Sequence, residues 1–237
     1  MATSQEHTVK AFDTDLSQLR GLISQMGGLA ETAITNAMIA LQRGDLDLAK
    51  QVRADDRRID GIEAEVERMV VRIIALRAPM ANDLREVVAA LKIATVVERI
   101  GDYAKNIAKR VPQIASEDRI EPVSLIPAMA RMASEMVRDA LDAFAARDAE
   151  AAIAVCERDD ALDDFYDSIF RTLVTYMVEN PKTISQCAQL LFVAKHLERI
   201  GDHATNLAEM TYYAATGTKI ADRHAPSVTP PNAPPQA

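Results

Sequence analysis

Eight acidic residues in this 237-residue chain fall into four pairs with one spacing. Glu98 and Asp102 bracket Arg-Ile-Gly, and so do Glu198 and Asp202. Asp56 with Asp60, and Asp159 with Asp163, repeat the same interval. Four residues apart on an α-helix, two carboxylates share a face and repel by a few tenths of a kcal/mol. The glycine inside each Glu-Arg-Ile-Gly-Asp run costs a helix roughly 1 kcal/mol relative to alanine. Some gain must offset both costs. Clustered, partly buried carboxylates need protons or a cation to neutralise them. Four carboxylates without histidine or cysteine form a hard, all-oxygen donor set suited to magnesium, calcium, manganese or ferric iron.

Two plainer readings compete. Ion pairing is the first, since Lys105 follows Asp102 by three residues and Lys109 lies further along the same side; Arg57, Arg58 and Arg199 offer partners across helices. In the other copy those lysines become Thr205 and Glu209 while every acid remains, which tells against local lysine pairing. A solvated helix edge is the second. Gly101 and Gly201 lie beside the acidic lines, where they allow close approach of either a ligand or a neighbouring helix. His203 reads as a surface or groove histidine, and His196 has no metal partner one turn away.

The elements that position these pairs follow from periodicity and punctuation. Hydrophobic residues make up 49% and aromatics only 4%, with no tryptophan, which favours helices over sheet. Arg43-Gly44-Asp45 combines a helix-stop glycine with a capping aspartate, and Arg147-Asp148 stands in the same place later. Ala78-Pro79 breaks a run, with Asp83 and Glu86 resembling a capping box. Prolines 112, 122 and 127 mark the widest gap, and Asn180-Pro181 supplies a last start signal. Six helices are predicted, at roughly 13–43, 46–77, 82–111, 124–146, 149–179 and 181–215. Residues 1–12 read as a flexible leader and 218–237 as a disordered, proline-rich tail.

The helices form two sets of three. Asp45 matches Asp148 at an offset of 103 (148 − 45), as do Asp56 with Asp159 and Asp60 with Asp163. The offset falls to 100 (198 − 98) for Glu98 with Glu198 and Asp102 with Asp202. The fold expected is all-α, two tandem up-down-up three-helix bundles (13–116 and 117–217) related by an internal repeat. At about 100° per residue, Leu84, Val88 and Leu91 lead into Thr95, Glu98, Asp102 and Asn106, and Ile184, Cys187 and Leu191 lead into Glu198, Asp202 and Asn206. Asp56 and Asp60 edge the stripe Val52, Ile59, Val66, Val70 and Ile73, and Asp159 and Asp163 edge Val155, Leu162 and Ile169. Each bundle can thus bring two acidic pairs together from neighbouring helices.

A net charge of −8 and a pI near 5.1, with no basic stripe, exclude a phosphate-backbone binder. No apolar run approaches the roughly 18–20 residues that span a bilayer, and the first residues lack the pattern of a signal peptide. Cys156 and Cys187 are isolated and read as buried, reduced thiols. No nucleotide-binding loop, nucleophile elbow or zinc-protease motif is present.

The duplicated Glu-Arg-Ile-Gly-Asp-x-x-x-Asn on each third helix, the acid-x-x-x-Asp pair on each second helix, and Pro79-Met-Ala-Asn-Asp-Leu-Arg85 resemble the PhoU family. The resemblance covers about residues 13–216. It implies a cytoplasmic negative regulator of the phosphate-starvation response and of phosphate uptake, linking the Pst importer, through its ATPase subunit, to the sensor kinase PhoR. It also implies iron or zinc clusters on Asp56, Asp60, Glu98, Asp102, Asp159, Asp163, Glu198 and Asp202, with Asn106 and Asn206 as ligands or supporting groups. The chain departs from the family pattern at Asn180-Pro-Lys-Thr-Ile-Ser185, which lacks the Asp-Leu-Arg of the first copy. An adaptor without catalytic residues is expected, working as a homodimer, without an organic cofactor or nucleic acid, and meeting membranes only through partners. The alternatives are a metal-dependent phosphohydrolase or oxidase, and a metal-free helical scaffold.

Overall fold

The computed structural model describes residues 2–115 and 120–220, with side chains from Ala11 onward. Every regular element among them is helical. Helix α1 is Ala2–Arg43, α2 Leu46–Arg77, α3 Asn82–Ile114 and α4 Ile126–Ala146; α5 is Ala149–Cys156, α6 Asp159–Glu179 and α7 Ile184–Thr216. The predicted fifth helix, 149–179, is therefore written in two pieces. Glu157 and Arg158 stay right-handed (φ −69°, ψ −12° and φ −91°, ψ −10°), so the axis continues through a tightened turn. That turn lets Arg158 reach Asp139 and Glu135 of α4. Residues 1–10 of the expected leader lie outside the described side chains; Phe12 already packs against the core. Of the expected tail, 221–237 lie outside the described residues, whereas Ile220 packs against the core.

The turns follow the chemistry of their residues. Gly44 takes a left-handed φ of +67°, and the Asp45 carboxylate accepts from the amides of Asp47 and Leu48 at 3.1 and 2.9 Å. In the second copy Arg147 takes the left-handed place at φ +55°, and Asp148 accepts from Glu150 and Ala151 at 2.9 and 3.0 Å. The Asp83–Glu86 capping box does not form, and no side chain caps α3. Glu86 is instead 6% exposed and receives the guanidinium groups of Arg20 and Arg147. Charge-assisted bonds to two guanidiniums outcompete one amide for a buried carboxylate. They also tie α1 and α3 to the end of α4. Before α7, Pro181–Thr183 forms a short 3-10 turn, so that helix begins at Ile184 rather than Pro181.

Helices α1, α2 and α3 pack up-down-up, and α4, α5–α6 and α7 repeat the arrangement. The two sets meet where α3 runs against α7 and α1 against α4, over one continuous core. At the α3–α7 contact, Tyr103 stacks on His203 with ring centroids 5.4 Å apart. These residues are repeat counterparts (203 − 103 = 100), so the two bundles meet there through equivalent positions.

The two repeated glycines set the distance between second and third helices. A Cβ on Gly101 would lie 2.7 Å from Ile59 Cδ1 in α2, and one on Gly201 only 2.1 Å from Leu162 Cδ2 in α6. Tight helix packing is therefore what these glycines permit, and it draws the acidic lines together. Leu162 is fully buried and has little room to yield. Gly201→Ala should destabilise the chain by about 1–2 kcal/mol, overpacking outweighing the gain in helix propensity. Gly61→Ala, with nothing within 4 Å of its Cβ position, should instead stabilise by up to about 1 kcal/mol. Urea unfolding of both variants checks the pair.

Candidate metal centre

Helices α2 and α3 bring together the acids of the first bundle. Asp56 is only 5% exposed, and Lys105 Nζ donates to its carboxylate and to that of Asp102, the latter at 2.8 Å. Lys105 thus spans the two helices. Arg99 lies 3.7 Å from Glu98 and 3.8 Å from Asp102. Asp60 is exposed and acts on Glu98 and Asp56 through its charge. Asn106 is half-buried, one turn beyond Asp102. Ion pairs to Lys105 and Arg99 thus reach Asp56, Glu98 and Asp102 of this cluster.

The second bundle solves the same problem differently. Thr205 occupies the place of Lys105, so the lysine that bridges the first bundle's acids has no counterpart at this position. One carboxylate oxygen from each of Asp163, Glu198 and Asp202 lies within 4.8 Å of the others. Lys195 pairs with Glu198 Oε1 on its own helix and holds its ammonium 5.2 Å from the Tyr166 ring centroid. The other oxygen, Glu198 Oε2, is buried and accepts no hydrogen bond. Asp159 flanks the three by charge, and Asn206 stands exposed one turn beyond Asp202.

Protonation equilibria record the strain. Glu98 is pushed up to about 7 by burial first, then by Asp102 and Glu63, with Arg99 opposing and Asp60 adding a little. Asp202 is pushed up to about 6 by desolvation and by Glu198, Asp159 and Asp163, against Lys195. Asp163 is raised for the same reasons. Burial raises Asp56 as well, with Lys105 opposing, and Lys105 is itself held charged by Asp102 and Asp56.

Several features around the site were not foreseen. His196, both ring nitrogens buried without a hydrogen bond, packs 5.6 Å from Tyr103; burial, then Arg110 and Arg199, pushes it down to about 4. Leu84 and Val88, read as one apolar stripe, line a groove of about 910 Å³ with Arg85, Lys92, Met210 and Tyr213. The groove opens where α5 gives way to α6 and reaches Asp159 and Thr205, beside the second cluster. Lys195 was overlooked although it stands on the acidic line, where the first copy has Thr95.

Comparison with known proteins fits this geometry. The pattern described as the PhoU domain matches twice, over residues 23–111 and 126–211, one match per bundle. The chain belongs to the PhoU family. A phosphate-specific transport system accessory protein PhoU homolog of Zymomonas mobilis is 54% identical over 217 residues, 92% of each chain. The Caulobacter vibrioides protein of the same description is 45% identical, over 91% of this chain and 94% of its own. The crystal structure of PhoU from Pseudomonas aeruginosa superposes with a TM-score of 0.84 at 38% identity, covering 87% of this chain and all of that one. The phosphate transport system regulatory protein PhoU from Streptococcus pneumoniae gives a TM-score of 0.82 at 28% identity, over 88% and 99%. Among the described residues no helix is long and apolar enough to cross a membrane.

A carboxyl held above its ordinary range binds its proton more tightly in the folded than in the unfolded chain. Its contribution to stability is complete below the ordinary value of 4.5 and is lost as pH rises through about 7 for Glu98. In metal-free protein, Glu98→Gln should therefore gain stability relative to the parent as pH is raised from about 5 to about 8. Urea midpoints of the two proteins across that range give the difference.

Proposed function

We propose that this protein is a cytoplasmic negative regulator of the phosphate-starvation response and of phosphate uptake, an adaptor between the ATPase subunit of the Pst importer and the sensor kinase PhoR. The observation that carries this reading is the 54% identity, over 92% of both chains, to a protein described as an accessory of phosphate-specific transport. Two bundles joined through α3 and α7 suit a protein that presents fixed surfaces to others. The description of that relative as an accessory protein favours an adaptor over a catalyst.

In this reading Asp163, Glu198 and Asp202 hold a metal ion, with Asp159 at its edge. Iron and zinc are the first candidates, magnesium and manganese the others. The fit rests on the converging oxygens and on the orphaned Glu198 Oε2, since a hard cation supplies the charge that the buried oxygen lacks. When bound, the metal contributes electrostatic cross-linking of α6 to α7. The chain's own residues do the rest: Leu162 and Gly201 keep the helices close, and the groove beside Asp159 and Thr205 offers a partner access to the loaded face.

Deleting the gene should raise expression of phosphate-starvation genes in phosphate-rich medium, and the intact gene should restore repression. A reporter for those genes reads the outcome. Full repression in the deletion strain contradicts the proposal.

A further inference from the structure

We infer that Lys105 takes the place of a metal ion in the first bundle, so that metal binding in this chain is confined to the second. This rests on the metal reading of Asp163, Glu198 and Asp202 given above. The duplicated sequence supplies the comparison within one molecule. The two copies place a lysine at opposite ends of the acidic pair: Thr95 and Lys105 in the first copy, Lys195 and Thr205 in the second.

Position decides what each lysine can do. Lys105 lies one turn past Asp102 and reaches across to α2, donating to Asp102 and to the buried Asp56 at once. It occupies the gap between helices where a bridging cation would sit. An ammonium group there supplies a positive charge and hydrogen bonds to two carboxylates, and its tether to α3 spares it the translational entropy that a free ion loses on binding, leaving only the side chain's rotamer freedom to be given up. Lys195 lies one turn before Glu198, where its ammonium pairs with Glu198 on its own helix and rests 5.2 Å from the ring centroid of Tyr166 in α6. It makes no bridge of the Lys105 kind, and beside it one oxygen from each of Asp163, Glu198 and Asp202 converges within 4.8 Å. Thr205 is uncharged and shorter than lysine, so it supplies no counter-charge there, and it borders the groove with Asp159. The first bundle's acids therefore do not fit the metal cluster that the family resemblance implies for them.

Exchanging the two residues tests the inference. Full-length protein, stripped with chelator and equilibrated with zinc ions, is analysed for bound metal per chain and by titration calorimetry. In the parent, Asp163→Asn with Asp202→Asn should abolish stoichiometric zinc binding, while Asp60→Asn with Glu98→Gln leaves it unchanged. Thr205→Lys should also abolish it, and circular dichroism should show the helical fold retained. Lys105→Thr should roughly double the zinc bound per chain, and adding Asp56→Asn should cancel the gain. Parent zinc that falls on changing Asp60 and Glu98, or a folded Lys105→Thr variant that binds no more than the parent, overturns the inference while leaving the second site standing. Absence of zinc binding by the parent overturns the metal reading and this inference together. Should Lys105→Thr fail to fold, the Thr205→Lys and Asp60/Glu98 variants still decide: zinc binding that survives Thr205→Lys overturns the inference.

Discussion

Like charges pressed between two helices are the constraint around which this fold is arranged. Each bundle places four acids along the seam of its second and third helices, and the seam is tight because Gly101 and Gly201 leave no Cβ in the way. Bringing carboxylates out of water without a counter-charge costs several kcal/mol per ion. Burial raises carboxyls in both bundles; beyond that the molecule meets this cost in two ways, with an internal ammonium between Asp56 and Asp102 in one bundle and a convergent oxygen set in the other. The rest of the core can be read as the frame that keeps the seam closed.

That frame has its own polar fastening. Glu86, buried between Arg20 and Arg147, links both bundles at one end, and the Tyr103–His203 stack joins repeat counterparts across the α3–α7 contact. Arg147 holds a left-handed conformation that glycine adopts in the first copy, a strain of roughly 1 kcal/mol. Its guanidinium contact to Glu86 is what the second copy gains from that choice. Duplication has thus produced two bundles with one plan and different local chemistry.

Most of the architecture was legible from sequence because helices announce themselves locally. The 3.6-residue period, Asp45 and Asp148 as caps, and the two offsets of the repeat are all properties of near neighbours along the chain. The acidic pairs were legible for the same reason. What each pair faces was not, because helical spacing gives the direction of a side chain but not its distance from another helix. Lys105 illustrates this: its spacing from Asp102 was plain, but its reach to Asp56 depends on how closely α2 approaches. Glu86 was misread as a cap because Arg20 and Arg147 lie far away in sequence. The groove was hidden by Leu84 and Val88, apolar residues on a helical stripe that the fold leaves partly uncovered.

The most direct measurement is anomalous diffraction from crystals of the full chain grown with zinc or iron. The account predicts an anomalous peak between Asp163, Glu198 and Asp202, with Lys105 still bridging Asp56 and Asp102. A peak between α2 and α3 with Lys105 displaced into solvent, or no peak at the second cluster, would contradict it.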